Sequence, residues 1–561
     1  MKKYLLYTIA AVSFMGMTTS CSDFGDVNID PEHPNEQLMD YSLLFGNAQV
    51  QALGSDWDVW RNGIIYTATM LQHVSTAQWS QGVFYTYDNG YNAALWDALY
   101  SGDRAAVRDV CEVLRNWEND EWYGGNDYQY ARILRAYIFH RLTDLYGDIP
   151  YSQAGNASEY GYPKYDTQES IYNDLLKELD EAQGAIDVNA VSELGSADIY
   201  FGGDAQKWKK MANSLMLRIA MRMTKVNEAK AEEWVKKAVG NGIIMSNEDN
   251  AYMLRTDGLV TKDSSEPYAK IYWESDAGKF FLSETFVNML KSTNDPRLPL
   301  IGTIVADPTI TYSNDNANTG SSADYANWVG LPVGYETTAG NWWLGNAASM
   351  ADYIKTVTGE DGKETKDFIL DENDKPIWKS NFPIPNRLTY SNPTSPTFIV
   401  TYAENMLLLA EAAVRGWVTD KTAEEYYNEG VRAAMEQFSI YSAASSLYNT
   451  YLNDAAISDY LAANPFDASK AYEQINTQYY IATFCDEYES FANWRRSGYP
   501  VLTAVNKGYP SCVTEGQIPR RFVYPVSEQT ANTANFQEAI QRQGLTGGSG
   551  DMVVRMWWDK E

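Results

Sequence analysis

Residues 401–438 read TYAENMLLLAEAAVRGWVTDKTAEEYYNEGVRAAMEQF. The first half, Thr401–Gly416, is apolar and alanine-rich, and Ala410, Ala412 and Ala413 permit close approach of a second helix. A short break follows. Thr422-Ala-Glu-Glu425 then has the form of a capping box, with Thr at the N-cap and Glu three residues on, and a second helix is expected to about Phe438. Two helices and a short turn in under 40 residues match the size of a tetratricopeptide unit, and equally that of an unrelated helical hairpin.

Helical patterning extends outward on the N-terminal side. Leu134, Ile138, Leu142 and Leu145 recur at helical spacing in Asp127–Tyr146, and Gly147-Asp148-Ile149-Pro150 stops that helix. A capping box at Asp166-Thr-Gln-Glu169 opens a helix to about Gln183. A third spans about Gln206–Met223, with Trp208, Met211, Leu215 and Ile219 on one face. Asp144 and Asp148 flank the helix end and read as carboxylates that satisfy turn amides. Periodicity fades between 247 and 396, where Gly, Asn, Ser, Thr and Pro rise. Asp307–Gly320 is turn-rich, and Gly359–Lys375 can hold a hairpin. Aromatics stay dense there. A long irregular segment set in a helical scaffold is usually functional.

Composition limits the function. The chain has 561 residues and a formal net charge of −30, which disfavours nucleic acid and polyanions as partners. With 45% hydrophobic residues it is globular rather than a disordered acidic chain. It carries 17 Trp and 41 Tyr, whose flat faces and polar edges suit sugar rings wherever they crowd into loops. Cys111, Cys485 and Cys512 are widely spaced and read as free thiols rather than a disulfide framework. Three histidines (His33, His73, His140) lack zinc-ligand spacing, and there is neither a G-x-S-x-G elbow nor a phosphate-binding loop. His140 reads as a packed helical residue. Asp371-Glu-Asn-Asp374 could offer oxygens to a structural calcium ion but matches no defined site; otherwise no cofactor is expected.

The N-terminus is a secretory leader. Lys2 and Lys3 precede an apolar run from Tyr4 to about Met17, then Thr18, Thr19, Ser20 and Cys21. This arrangement predicts residues 1–20 as signal peptide and Cys21 as a lipidated N-terminus, although Thr18 stands where bacterial lipoproteins usually carry leucine. Acyl chains at roughly 0.8 kcal/mol per buried CH2 would hold the chain to a bilayer.

Further blocks carry a family resemblance. They are Ser22-Asp-Phe-Gly-Asp26, Asn28-Ile-Asp-Pro-Glu-His-Pro-Asn35, Leu142-Thr-Asp-Leu-Tyr-Gly-Asp-Ile-Pro-Tyr151, Lys207-Trp-Lys-Lys-Met-Ala-Asn213, Tyr402–Ala412, Glu489–Pro500 and the closing Trp557-Trp558-Asp559. In this order they resemble the SusD/RagB family of Bacteroidota surface nutrient-binding lipoproteins, with Glu32 departing from the opening motif. The resemblance implies a mainly α fold: a superhelix of about four degenerate tetratricopeptide-like hairpins beside a loop-rich region with a few short strands. It divides the chain into a lipidated tether (21–40) and one domain (41–561). The helical scaffold would be about 41–246 and 397–544, with a ligand-binding insertion at about 247–396. It implies an outer-membrane location facing the exterior, a SusC-like TonB-dependent transporter as partner, and capture of oligosaccharides without catalysis. Capture of peptides is the alternative, and a helical glycoside hydrolase a remote one. The loops that would hold ligand contain Trp79, Gln81, Tyr85, Tyr87 and Asp88 in one stretch and Trp273, Trp328, Tyr335, Trp342 and Trp343 in the other.

Overall fold

Thr401 and Thr422 start helices as their spacing requires. In the computed structural model, which describes residues 39–76, 79–102, 105–257, 264–275, 279–305, 320–321, 323, 325–336, 343–344, 354–359, 362, 364–368, 382–505 and 511–561, Thr422 and Glu425 form the expected reciprocal box. The Glu425 amide donates to Thr422 Oγ1 (3.2 Å), and the Thr422 amide donates to Glu425 Oε2 (2.7 Å). Such caps are worth about 1 kcal/mol each. The leader, Cys21, the Asn28–Asn35 motif, the acidic turn at Asp371–Asp374 and Trp342 lie outside the described residues.

The longer helices are numbered in chain order: α1 (Tyr41–Ala52), α2 (Ala106–Trp117), α3 (Asn126–Tyr146), α4 (Gln168–Ala185), α5 (Ala205–Arg222), α6 (Glu228–Asn241), α7 (Tyr402–Val414), α8 (Ala423–Glu436), α9 (Ala471–Ala482), α10 (Glu487–Ser497) and α11 (Thr533–Gln543). Neighbours pack in succession: α1 on α2, α2 on α3, α3 on α4, α4 on α5, α5 on α6, α7 on α8 and α9, and α9 on α10. Helix α7 also meets α5, which closes the two helical runs into one core. Gly430 of α8 allows the close approach: a Cβ there would lie 2.8 Å from Leu407. The predicted faces are inside, with Leu134, Ile138, Leu142, Leu145, Trp208, Met211, Leu215 and Ile219 at most 1% exposed. Burying each such side chain contributes about 1.5–3 kcal/mol.

Two local readings are corrected. Helix α4 is capped by Thr167, whose side chain accepts from the Ser170 amide (3.2 Å), and not by Asp166. Asp166 instead pairs in a two-residue ladder with Ile149 and takes the Ser152 amide (2.7 Å). Asp144 satisfies no turn amide; it belongs to a buried ionic network. Arg222 of α5 bridges Asp144 (3.3 Å) and Glu489 of α10. Arg218 reaches Glu404 of α7 (2.5 Å) and Glu489 (3.4 Å), and Glu411 of α7 takes Arg496 of α10 (2.7 Å) and Arg415 (2.9 Å). Burial alone would raise the Asp144 carboxyl. His140 and Arg222 beside it more than offset that and hold it below the usual carboxylate range. Burial is likewise overcome at Glu411, where Arg496 and Arg415 pull the carboxyl down to about 2. Asp148 takes a further first-turn amide of α4, accepting from Gln168 N (2.8 Å).

Between the helical runs the chain makes short antiparallel ladders. Val74–Thr76 pairs with Phe280–Leu282, Ala251–Met253 with Thr397–Val400, and Ile384–Pro385 with Gly302–Val305. A hairpin pairs Ile354–Thr358 with Glu364–Phe368, its turn in the charged segment read as hairpin-forming. Cys111, Cys485 and Cys512 are free thiols. Among the described residues no helix is long and apolar enough to cross a membrane.

Candidate ligand-binding site

The site begins at a sharp turn. Ser55 caps Asp56–Asp58 with a full capping box, and the chain runs on into a π-helical segment, Val59–Ala68. This places Trp57 (55% exposed) and the half-buried Trp60 together at the surface. Arg61 threads between them, its guanidinium carbon 3.0 Å from the Trp57 ring centre, 4.6 Å from Trp60 and 5.1 Å from Tyr91. Cations held over aromatic faces in this way rigidify both partners.

The loop Trp79–Asp88 is laid against this segment by two devices. Gly82 donates its amide to Ile65 O (3.1 Å), and a Cβ there would come within 2.3 Å of both Ile65 O and Thr69 Oγ1, so only glycine fits. The buried Tyr66 hydroxyl donates to Thr86 O (2.9 Å) and accepts from the Asp88 amide (2.9 Å). Trp79 is held at φ 55°, a left-handed backbone uncommon for a bulky residue. Its ring meets Trp60 edge to face, with centroids 5.2 Å apart, and Trp60 meets Tyr91 at 5.8 Å. Half-buried Tyr87 donates to Asn89 Oδ1 (3.1 Å), and Asp88 caps the turn at Asn89–Asn92.

The middle region reaches the same place. Pairing of Val74–Thr76 with Phe280–Leu282 brings Lys279 Nζ to 5.8 Å from the Trp79 ring. Leu331 donates its amide to Leu282 O (2.9 Å) and Ser75 its hydroxyl to Pro332 O (3.0 Å), so the backbone of Tyr335–Glu336 lies beside Val74–Thr76. Tyr335–Glu336 pairs in turn with Trp343–Leu344. The turn Pro267–Ala269 packs on Val59–Ala68, and Lys270 pairs with Asp56 (2.8 Å); the backbone of Trp273 follows in the segment Lys270–Ser275.

The two aromatic stretches read from the sequence therefore converge, but their members do not all face outward. Tyr85 and Trp328 are core residues. Tyr85 is 1% exposed, with its hydroxyl accepting from the Val505 amide (3.3 Å). Trp328 is 2% exposed and packs so tightly on Gly302 that a Cβ there would lie 2.9 Å from its ring. A ring with no open face cannot stack on a ligand, so neither belongs to the site surface. Trp57, Trp60, Arg61, Tyr91 and Lys279 were missed. The signal available was Asp56-Trp-Asp-Val-Trp60, where two tryptophans three apart sit among acids instead of on an apolar stripe.

Trp60 Nε1 and Gln81 Oε1 lie beneath this surface, buried and without a hydrogen-bond partner among the described residues. Aromatic faces, amide groups and a few charges held on fixed backbone are the make-up of a small-molecule site. Among the described residues no group of three or more His, Cys, Asp or Glu is placed to hold a metal ion.

Comparison with known proteins bears on the family and the fold. Residues 34–525 match the model of the SusD-like family described as "Starch-binding associating with outer membrane". A solved structure titled "chitin-binding protein" is 28% identical, with a TM-score of 0.73 over 93% of this chain and 100% of its own. Another, titled "Bacteroidetes AC2a SusD-like", is 27% identical with a TM-score of 0.75 over the same shares. A chitin-binding SusD homolog from Flavobacterium johnsoniae, 23% identical with a TM-score of 0.67 over 93% of this chain and 98% of its own, shares the fold. No curated protein matches. The match over residues 34–525, most of the chain, places this protein in the SusD-like family.

Proposed function

We propose that the protein captures a neutral oligosaccharide on the Trp57–Trp60–Trp79 surface and passes it to a SusC-like TonB-dependent transporter. The observation that carries this reading is the gathering of exposed Trp57 with half-buried Trp60 and Trp79 beside a loop pinned by Gly82 and Tyr66. The family description names starch binding and one similar structure is titled a chitin-binding protein, which supports binding rather than catalysis as the activity proposed here. Two of the similar structures carry chitin binding in their titles, which supports N-acetylglucosamine oligomers as one ligand class to try first. Trp79, Tyr87, Asp88 and Gln81 are the proposed contacts from the sequence reading, joined by Trp57 and Trp60. Trp273, Tyr335 and Trp343 are retained as neighbours by backbone position alone.

The protein is further proposed to be held at the outer membrane through lipid at Cys21, with the domain boundaries set out above. Local tethering beside a transporter raises effective concentration, so modest affinity suffices. Calorimetric titration of the chain from Ser22 onward against chito-, cello-, malto- and xylo-oligosaccharides tests the reading. Binding of one series that weakens on Trp79→Ala is expected. Binding of peptides alone would replace this reading with peptide capture.

A further inference from the structure

The contacts that hold the Tyr87 end of the site lead into a second recess. Asn89 Oδ1 accepts from the Tyr87 hydroxyl (3.1 Å) and from the Val526 amide (3.0 Å). Ser527 and Glu528, next in the chain, line an open cleft of about 460 Å³ whose other wall is the loop Gln153–Pro163. That volume lies in the ordinary range for small-molecule sites. Trp96 and Tyr100 also line it, and Tyr162 stands on it 73% exposed, a large ring that the core does not use.

The loop that carries Tyr162 is tied down. Asn535 Nδ2 donates to Tyr162 O (2.9 Å), Asn532 Nδ2 to Pro163 O (2.7 Å), and the Lys164 amide to Gln153 Oε1 (2.9 Å). An exposed ring on fixed backbone gives stacking area at little ordering cost. Glu528 accepts from Tyr165 with one oxygen (2.6 Å). It and Asp97 place carboxylates on the cleft, which take bonds from sugar hydroxyls, while Arg108, the cation on the same lining, is paired with Asp109 (2.8 Å).

We propose that this cleft is a second saccharide subsite, reached from the Trp79 site past Tyr87, Asn89 and Val526, so that a neutral oligosaccharide long enough to cover both is bound in preference to a short one. The inference rests on the glycan reading above and adds selection by chain length.

The test is calorimetric titration of the chain from Ser22 onward with the two-unit and six-unit members of the chito-, cello-, malto- and xylo-oligosaccharide series. In the series that binds, the six-unit ligand is expected to bind about tenfold more tightly than the two-unit ligand. Tyr162→Ala is expected to lower six-unit affinity roughly five- to tenfold and leave two-unit affinity unchanged, an effect of the size of one lost stacking contact. Trp79→Ala weakens both lengths. Ser527→Arg, which fills the cleft from an exposed position, should repeat the Tyr162→Ala result. Six-unit affinity unchanged in both cleft variants, with Trp79→Ala still weakening it, would overturn the second subsite and leave the glycan reading standing. Equal losses for both lengths on Tyr162→Ala would overturn the length selection. Failure of every series to bind the unaltered chain would overturn both readings.

Discussion

The helical scaffold and the aromatic patch differ in how far their functional side chains are sealed from solvent. In the scaffold, Asp144, Arg222, Glu489, Arg218 and Glu404 are almost wholly buried, and each carboxylate faces a guanidinium from another helix. In the patch, Trp57 is open to solvent, and Trp60, Trp79 and Tyr87 are only half buried. Buried charge is tolerated only when paired; aromatic rings left partly open on fixed backbone are what a ligand can stack on. The difference separates residues that hold the fold from residues free to bind, though both regions are rich in the same side chains.

The sharpest way to break the comparison is to unpair the scaffold. Glu489→Ala leaves Arg222 and Arg218 without a shared carboxylate and is expected to cost about 3–5 kcal/mol, read as a lower midpoint in urea unfolding.

The second test is pH. Burial raises the carboxyls of Glu266 and Asp486, which line a small cavity between the irregular region and the turn that follows α9, to about 7 each. A carboxyl whose folded value lies above its unfolded value of 4.5 holds its proton more tightly when folded. Its contribution to stability is full below pH 4.5 and is lost as pH rises to about 7. Glu266→Gln keeps an oxygen for the Ala269 amide and should flatten the decline between pH 5 and 8 by up to about 3 kcal/mol. Thermal unfolding across that range measures it, and an unchanged slope would remove Glu266 as its source.

Next comes the joint between the two regions. Gly82→Ala drives a methyl into Ile65 O and is expected to cost about 1–3 kcal/mol; it also displaces Trp79, so affinity for the bound oligosaccharide should fall with stability. Trp79→Ala completes the contrast. Stability should change by less than about 1 kcal/mol while affinity falls roughly tenfold, a split that calorimetry and urea unfolding together would reveal. A large stability loss instead would move Trp79 into the scaffold.

The sequence was most legible where physics is local. Helical periodicity marked α3 and α5, and the Thr422–Glu425 box was read to the residue, because caps and amphipathic faces depend on neighbours three and four positions away. The cap of α4 was misplaced by one residue because Asp166 and Thr167 can both cap, and a ladder to Ile149 claimed Asp166. Of the groups around Asp144, His140 lies one helical turn away, but Arg222 and Tyr172, which draw it into the buried network and away from the turn, are 78 and 28 residues distant.

The site followed the same rule. Sequence alone determined that the chain is a helical scaffold interrupted by an aromatic-rich irregular region, and that residues 78–89 carry stacking and polar groups together. Only the tertiary structure decided which rings face out. Tyr85 and Tyr87 lie two apart, yet one is sealed against Val505 and Val513 and the other remains half open. Trp328 fills the space over Gly302, while Trp57 is left at the surface by the capped turn before it. A tryptophan has the same chemistry in either setting. Whether it serves the core or a ligand depends on what long-range packing places over its face.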